Sequence, residues 1–266
     1  MDQARTDKNI DDGNTFDWGK TSDDYAKYRE IYPQEFYRRI VAEGVCVRGQ
    51  AVLDLGTGTG VLPRNLYPYG ASFTGTDIAA NQIAKAKELT KEAGMHISYD
   101  RVATEDLSYP ADTFDVITAC QCFFYFRHDV LAPKLYQFLK PGGKLVILYM
   151  AWLPFEDEIA GASEDLVLAY HPKWTGCRET RHPNVIPMEY KPYFDCMKED
   201  IYDLSIPFAR ESWNGRMKAC RGIGASLSAQ KVKEFEAEHL KLLNKIAPPE
   251  FEILHYVAMS ILKVKK

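Results

Sequence analysis

No stretch of the 266-residue chain is both long and apolar enough to cross a membrane, so no membrane span is expected. No dense cluster of Lys and Arg is present either, and the formal net charge is −4. A nucleic-acid surface needs a basic face, so that class of partner is not expected. Lys263, Lys265 and Lys266 form a short basic tail that reads as solvated. Cysteine is sparse and scattered: Cys46, Cys120, Cys122, Cys177, Cys196 and Cys220. Cys120-Gln121-Cys122 has no second Cys or His pair to complete a zinc knuckle, so no metal is expected. The polar N-terminus, with Asp2, Asp7, Asp11 and Asp12, has the pattern of neither a secretory signal nor a transit peptide. A cytoplasmic protein with free thiols is the resulting expectation. The length suits one large α/β domain with an insertion, or one domain with a small cap.

The feature that is present is a glycine turn. Ala51 to Gly60 reads Ala-Val-Leu-Asp-Leu-Gly-Thr-Gly-Thr-Gly. Val52, Leu53 and Leu55 suit a buried strand, and Val61 to Tyr67 can begin a helix. A strand running through glycines into a helix is a nucleotide-binding geometry. Glycine supplies the positive φ values and lets a ligand approach bare backbone. A dinucleotide fingerprint, G-x-G-x-x-G, fails here, because its third glycine would fall at Val61 or Pro63. A P-loop fails too, since no Lys-Ser or Lys-Thr follows the glycines. The spacing is Asp54-x-Gly56-x-Gly58-x-Gly60.

This spacing resembles the first motif of the class I, seven-stranded, Rossmann-like S-adenosylmethionine-dependent methyltransferases, and later stretches extend the resemblance. Asp77 ends the second predicted strand, Ala71 to Asp77, about twenty residues after the turn. An acidic residue there can accept both ribose hydroxyls; the competing job is capping the helix that begins at Ala79. Asp77-Ile78-Ala79-Ala80-Asn81-Gln82 resembles the second motif, which implies Ile78 against the adenine and Gln82 over ribose or base. Ala103-Thr104-Glu105-Asp106-Leu107 resembles the acidic adenine loop, with Ala103 where the family commonly has Asp; Thr104, Glu105 and Asp106 are the candidates there. Leu139-Lys140-Pro141-Gly142-Gly143 resembles the turn before the fifth strand. The run Asp24 to Arg29, then Tyr32-Pro33, resembles an N-terminal lid, which implies Tyr25 or Tyr28 and Arg29 over the methionine end of the cofactor. The resemblance implies cofactor contacts for Asp54, which orders the turn and reaches toward the methionine amine, and for Thr57 inside it.

The implied fold is a three-layer α/β/α sandwich around a mostly parallel seven-stranded sheet with an antiparallel last strand. Residues 1–22 are expected to be a flexible segment, 23–43 a lid helix, and about 152–199 a substrate-cap insertion within a 23–266 domain. The predicted fourth strand delivers Cys120 and then Phe123, Phe124, Tyr125 and Phe126 to the carboxyl edge, where ligands of open α/β sheets bind. Neither Asn/Asp-Pro-Pro-Tyr/Phe nor Pro-Cys, the marks of nucleic-acid enzymes of the class, stands there. Phe123, Phe124 and Tyr125, with Trp152, His171, Trp174, Arg178 and Tyr193, are the substrate-pocket candidates. Each could equally be core. His128 is a candidate general base and equally a surface residue.

The resemblance implies methyl transfer from S-adenosylmethionine, leaving S-adenosylhomocysteine, to a small-molecule acceptor, by a monomer or homodimer. The alternatives are methylation of a protein or RNA group, a metal-thiol acceptor suggested by Cys120 and Cys122, and a cofactor-binding regulatory module without turnover. A nicotinamide oxidoreductase is disfavoured by Val61 and Pro63.

Overall fold

The protein is described by a computed structural model over residues 6–21, 27–28 and 31–266. Its strands are β1 (Ala51–Leu55), β2 (Ser72–Asp77), β3 (Ser98–Arg101), β4 (Phe114–Cys120), β5 (Leu139–Trp152), β6 (Phe194–Ala209) and β7 (Glu250–Val264). They make one sheet in the order β3-β2-β1-β4-β5-β7-β6. β1 pairs parallel with β2 and β4, β2 with β3, and β4 with β5. β7 is antiparallel to both β5 and β6. This is the mixed seven-stranded sheet expected from the glycine turn and the motifs C-terminal to it.

The order explains where a ligand can sit. From β1 the chain winds outward through β2 and β3, then returns to β4 on the other side of β1. The crevice at such a reversal, beyond the carboxyl ends, is the binding position of open α/β sheets. Register puts Leu55 opposite both Thr76 and Ala119. Gly56, Asp77 and Cys120, each one residue further on, therefore reach the same edge together.

Two compact units are distinguished by their internal contacts. One contains Tyr32–Met150, His182–Tyr202 and Val257–Lys266. In it, α1 (Gln34–Ala42), α2 (Val61–Leu66), α3 (Ala80–Glu92) and α4 (His128–Phe138) accompany the strands. Leu53, Leu55, Ile117, Ala119, Leu145 and Ile147 alternate onto one face, against Leu131, Ala132, Leu135 and Phe138 of α4. Val52, Asp54, Val116, Thr118, Val146 and Leu148 point the other way and are buried too. A parallel sheet covered on both faces reads as continuous apolar strands, which is why β4 and β5 lack polar alternation.

Two details differ from expectation. The Pro-Gly-Gly stretch is not a free turn ahead of β5. Leu139 pairs with Phe114 and Lys144 with Val116, so residues 140–143 form an excursion inside the strand. Asp115 fastens it, accepting from Lys140 Nζ at 2.8 Å and from the Ala51 N–H at 2.8 Å. The sequence predicts a helix over 130–139 with Pro133 in its first turn, but α4 begins at His128 and Pro133 lies in its second.

The other unit gathers the chain up to Ile31 with Ala151–Arg181 and Asp203–Tyr256. It contains α5 (Glu158–Tyr170), α6 (Arg210–Lys218) and α7 (Ala229–Ile246). Asp157 caps α5 through the Ala160 N–H, and Ser228 caps α7 through Lys231. Gly222 to Ser226 reads as a loop in the sequence, but Arg221–Ala225 is a π-helical turn. Residues 6–21, expected to be flexible, are packed. Phe16 and Asp11 are buried, and Asp11 holds Arg221 through two bonds of 2.8 and 2.9 Å. A charge pair removed from water fixes its segment, a constraint invisible across 210 residues of sequence. Among the described residues, no helix is long and apolar enough to cross a membrane.

Candidate active site

The glycine turn has the backbone that its sequence requires. Gly56, Gly58 and Gly60 have φ of 57°, 57° and 77°, the left-handed region that side chains disfavour. The turn is fixed by Thr57 N–H donating to Thr76 O (2.9 Å) and Gly60 N–H donating to Thr57 O (2.9 Å). It is also hemmed in. A Cβ on Gly56 would stand 2.8 Å from Cys122 Sγ, and one on Gly60 would meet the Tyr99 hydroxyl. Gly75, inside β2, leaves room for the same Tyr99 ring and for Thr57 Oγ1, which a Cβ would approach to 2.8 and 2.7 Å.

Two carboxylates flank the turn. Asp54 is buried and accepts from Thr118 Oγ1 at 2.6 Å. Burial pushes its carboxyl up to about 6, against the hydroxyls of Thr118 and Thr57, while Asp77 adds a like charge. Asp77 is half-buried at the end of β2. Its Oδ2 accepts the Gly58 N–H at 3.0 Å and its Oδ1 the Ala79 N–H at 2.8 Å. Both roles open to Asp77 thus meet in one side chain. It ties the glycine turn to the start of α3, and each oxygen keeps further acceptor capacity for a ligand hydroxyl. Burial raises its pKa, opposed by the N–H donors of Ala79, Gly58 and Ile78.

Ile78, next in the chain, is 53% exposed, while Gln82 is buried in the first turn of α3. The Val102 N–H donates to Asp77 O at 3.0 Å and brings the acidic loop alongside. In that loop Thr104 is buried and Asp106 exposed. Glu105 points elsewhere, and its Oε1 accepts the Arg127 N–H at 2.9 Å, at the start of α4. Cys120 is half-buried, its Sγ 3.6 Å from the Tyr32 hydroxyl.

Beyond β4 the aromatics separate. Phe123 is core, Tyr125 half-buried, and Phe124 is 50% exposed with its ring 6.2 Å from that of Tyr149. His128 is half-buried, with Nδ1 3.2 Å from the Tyr190 hydroxyl and its ring 4.7 Å from Phe123. Burial lowers its pKa on balance, against the pull of Glu189, Asp129 and Glu105. That places it beside the start of α4. Tyr193 packs against Tyr136 at 5.3 Å.

The remaining substrate-pocket candidates are built into the other unit. Trp152 is buried and donates from Nε1 to Glu164 Oε2 at 2.9 Å. The other oxygen of Glu164 takes the Arg178 N–H at 2.6 Å, while the Arg178 side chain is exposed. His171 Nδ1 donates to Gly222 O at 3.0 Å, and Trp174 lies buried against Gly176 and Gly222. Tyr28 lies against Gly215 of α6. Tyr25 and Arg29 fall outside the described residues. Sequence reading missed Tyr99, Thr118 and Cys122 as supports of the turn. Gly75 was the available signal, since a glycine inside a strand marks a close approach.

Known proteins agree with this geometry. Residues 52–143 match the model of a methyltransferase domain. A ubiquinone biosynthesis O-methyltransferase of Nitrosococcus oceani is 26% identical over 160 residues, 59% of this chain and 67% of that protein. Its counterpart from Bradyrhizobium sp. is 33% identical over 134 residues, 49% of this chain and 51% of that one. These alignments thus span from about half to two thirds of the relatives' length. Among solved structures, one concerning conversion of a disulfide bond into a thioacetal group during echinomycin biosynthesis matches with TM-score 0.57 and 16% identity, covering 89% of this chain and 84% of that one. The YcgJ protein of Bacillus subtilis matches with TM-score 0.50 and 18% identity, over 86% and 98%. At such identities the two structures speak for the fold alone. Turn spacing, sheet order with its reversed last strand, and the methyltransferase domain matched at residues 52–143 together give the chain the Rossmann-like fold of the class I S-adenosylmethionine-dependent methyltransferases.

Proposed function

We propose that this chain transfers the methyl group of S-adenosylmethionine to a small-molecule acceptor. The observation that carries the cofactor part is the turn of Gly56, Gly58 and Gly60, cradled by Tyr99 and Cys122 and tied to Asp77 through the Gly58 N–H. A side chain at any of these glycines would fill the space or strain the turn, so the bare backbone is a surface for a ligand. Gly56 to Gly60 would hold the amino-acid and sugar portion, Asp77 would accept ribose hydroxyls, and Ile78 offers an exposed apolar face to the adenine. Thr104 and Asp106 stay with the adenine, while Glu105 serves the start of α4. Asp54 would order the turn from the end of β1, where the Thr118 hydroxyl holds its carboxylate.

When bound, the cofactor supplies an electrophilic methyl group on a sulfonium. The protein then has to align a nucleophile in line with that methyl and to exclude water. The small-molecule reading is supported by the two relatives named for ubiquinone O-methylation. The acidic balance, and the lack of a proline-shaped amine-methylating motif after β4, also favour it. Calorimetric titration with S-adenosylmethionine, S-adenosylhomocysteine and NAD tests the cofactor assignment. Heat from the first two and none from NAD is the expected result; binding of NAD alone would sink it. Cofactor binding without turnover across phenol, thiol and amine acceptors would instead favour a regulatory module.

A further inference from the structure

The acidic loop after β3 is gripped by α4. Lys134 of that helix donates from Nζ to Glu105 O at 2.6 Å and to Leu107 O at 2.9 Å, the carbonyls on either side of Asp106. The lysine is half-buried, and Leu131, Ala132 and Leu135 of the same helix lie in the core, so its ammonium comes from a fixed base. The start of α4 adds a second hold, where the Arg127 N–H donates to Glu105 Oε1 at 2.9 Å. The loop itself is a single helical turn, Thr104–Asp106, closed by the Asp106 N–H donating to Ala103 O at 2.9 Å. Just before it, the Val102 N–H donates to Asp77 O at 3.0 Å, and Asp77 Oδ2 takes the Gly58 N–H at 3.0 Å. Lys134, the acidic loop, Asp77 and the glycine turn are therefore linked in series, through short stretches of backbone and hydrogen bonds of 3.0 Å or less.

The link has a direction. Backbone carbonyls shielded from water need donors, and an ammonium can serve more than one. Lys134 draws Glu105 O and Leu107 O to itself, and Leu107 is buried, while Asp106 between them is exposed. We propose that Lys134 is a positioning residue of the cofactor site: it holds the acidic loop in the form that presents Asp106 to the amino group of adenine, and the selectivity of the site for that base depends on it. The inference rests on the methyltransferase reading above. A carboxylate accepts from the adenine amine, whereas the hypoxanthine base of inosine carries an oxygen at the same place and is repelled. Lys134 acts through the loop backbone, so its loss should be felt as lost discrimination between bases.

The test titrates the full chain, Lys134→Met and Lys134→Arg with S-adenosylhomocysteine and S-inosylhomocysteine by calorimetry. The wild type should prefer the adenine ligand by at least about tenfold. Lys134→Met should bind the adenine ligand at least about tenfold more weakly and the inosine ligand within about threefold of the wild type, so the preference narrows. Lys134→Arg keeps donors for both carbonyls and should keep most of the preference. Magnetic resonance of the wild type should show the Lys134 ammonium exchanging slowly with water, a readout that needs no folded variant. Equal losses for both ligands, unchanged affinities in Lys134→Met, a loss in Lys134→Arg as large as in Lys134→Met, a wild type without base preference, or a freely exchanging ammonium would each overturn the role of Lys134. Absence of S-adenosylhomocysteine heat in the wild type removes the methyltransferase reading as well; its presence with an unaltered preference in Lys134→Met removes only Lys134.

Discussion

Cys122 and Gly56 share one space: the Cys122 Sγ donates to Leu55 O at 3.1 Å and stands 2.8 Å from where a Gly56 Cβ would be. The segment after β4 therefore determines how the turn after β1 is shaped. Burial and the nearby Asp54 hold the Cys122 thiol protonated, well above its ordinary pKa, so it acts here by size and as a donor. Gly56→Ala should cost about 1–3 kcal/mol of stability from strain and clash, and weaken S-adenosylmethionine binding at least about tenfold. Cys122→Ala relieves the clash but not the positive φ. The double variant should regain part of the loss, with a coupling of about 0.5–3 kcal/mol in a thermal-melt cycle. Strict additivity would show that the two residues do not share this space.

Asp77 makes a distinguishable prediction, because it serves the turn and a ligand at once. Asp77→Asn keeps one acceptor oxygen for a backbone N–H, so the fold should survive with a modest fall in Tm. Cofactor affinity, measured by calorimetry, should drop by about 1–3 kcal/mol through lost charge-assisted hydrogen bonds. An unchanged affinity would refute the ribose assignment and leave Asp77 only its tie between Gly58 and Ala79.

How much of the fold and site is legible in local sequence depends on the range of the interaction. The α7 helix is predicted over 229–246 and found there, because its apolar period and polar surroundings are local signals. The glycine turn is legible for the same reason: three positive φ values need three glycines. Residues 201–208 read as a strand in the sequence, but β6 begins seven residues earlier, at Phe194. Its first half, Asp195 to Asp200, is mostly charged and exposed and lies on an edge strand, so pairing rather than pattern makes it a strand. The pocket candidates of the 152–199 segment stand out in the sequence by aromatic and cationic character. Trp152 and Trp174 are both buried, and Trp152 donates to Glu164, a partner twelve residues away that no period announces.

Asp54 gives the site a pH signature. Its ordinary pKa is near 4, and burial raises it in the folded chain to about 6. Between those values the folded state binds more protons than the unfolded one, so this group makes stability fall as pH rises. The shift of about two units amounts to roughly 2–3 kcal/mol at neutral pH. Asp54→Asn keeps an oxygen to accept from Thr118 and removes the buried charge. Its Tm at pH 7–8 should match or exceed that of the wild type, and its Tm-versus-pH curve should be flatter between about 4 and 6. Cofactor affinity should fall in the same variant if Asp54 orders the turn. A variant less stable at pH 7 than at pH 5, by the wild-type margin, would show that Asp54 is not the group responsible.

The Asp11–Arg221 pair has the opposite sign. Burial pushes the Asp11 carboxyl up, but the Arg221 guanidinium and the Thr175 N–H and hydroxyl outweigh it and hold the group below its usual range. Stability from a lowered carboxylate is fully present above the unfolded pKa, near 4, and is lost as pH falls through the folded value. The pair should therefore be insensitive to pH from about 5 upward. Arg221 also donates to Thr175 Oγ1 at 2.8 Å, and Thr175 N–H to Asp11 Oδ1 at 2.7 Å, so removing either charge leaves the other buried with incomplete partners. Asp11→Ala or Arg221→Met alone should cost about 3–5 kcal/mol, whereas Asp11→Leu with Arg221→Met should recover much of it. Limited proteolysis adds a local readout. Loss of either charge should open cleavage near Phe16 and Trp18, which the wild-type chain resists because Phe16 is buried and Asp17 N–H is bonded to Ala225 O at 2.9 Å. Single variants with unchanged Tm and unchanged proteolysis would mean that residues 6–21 are held by their apolar contacts and not by this pair.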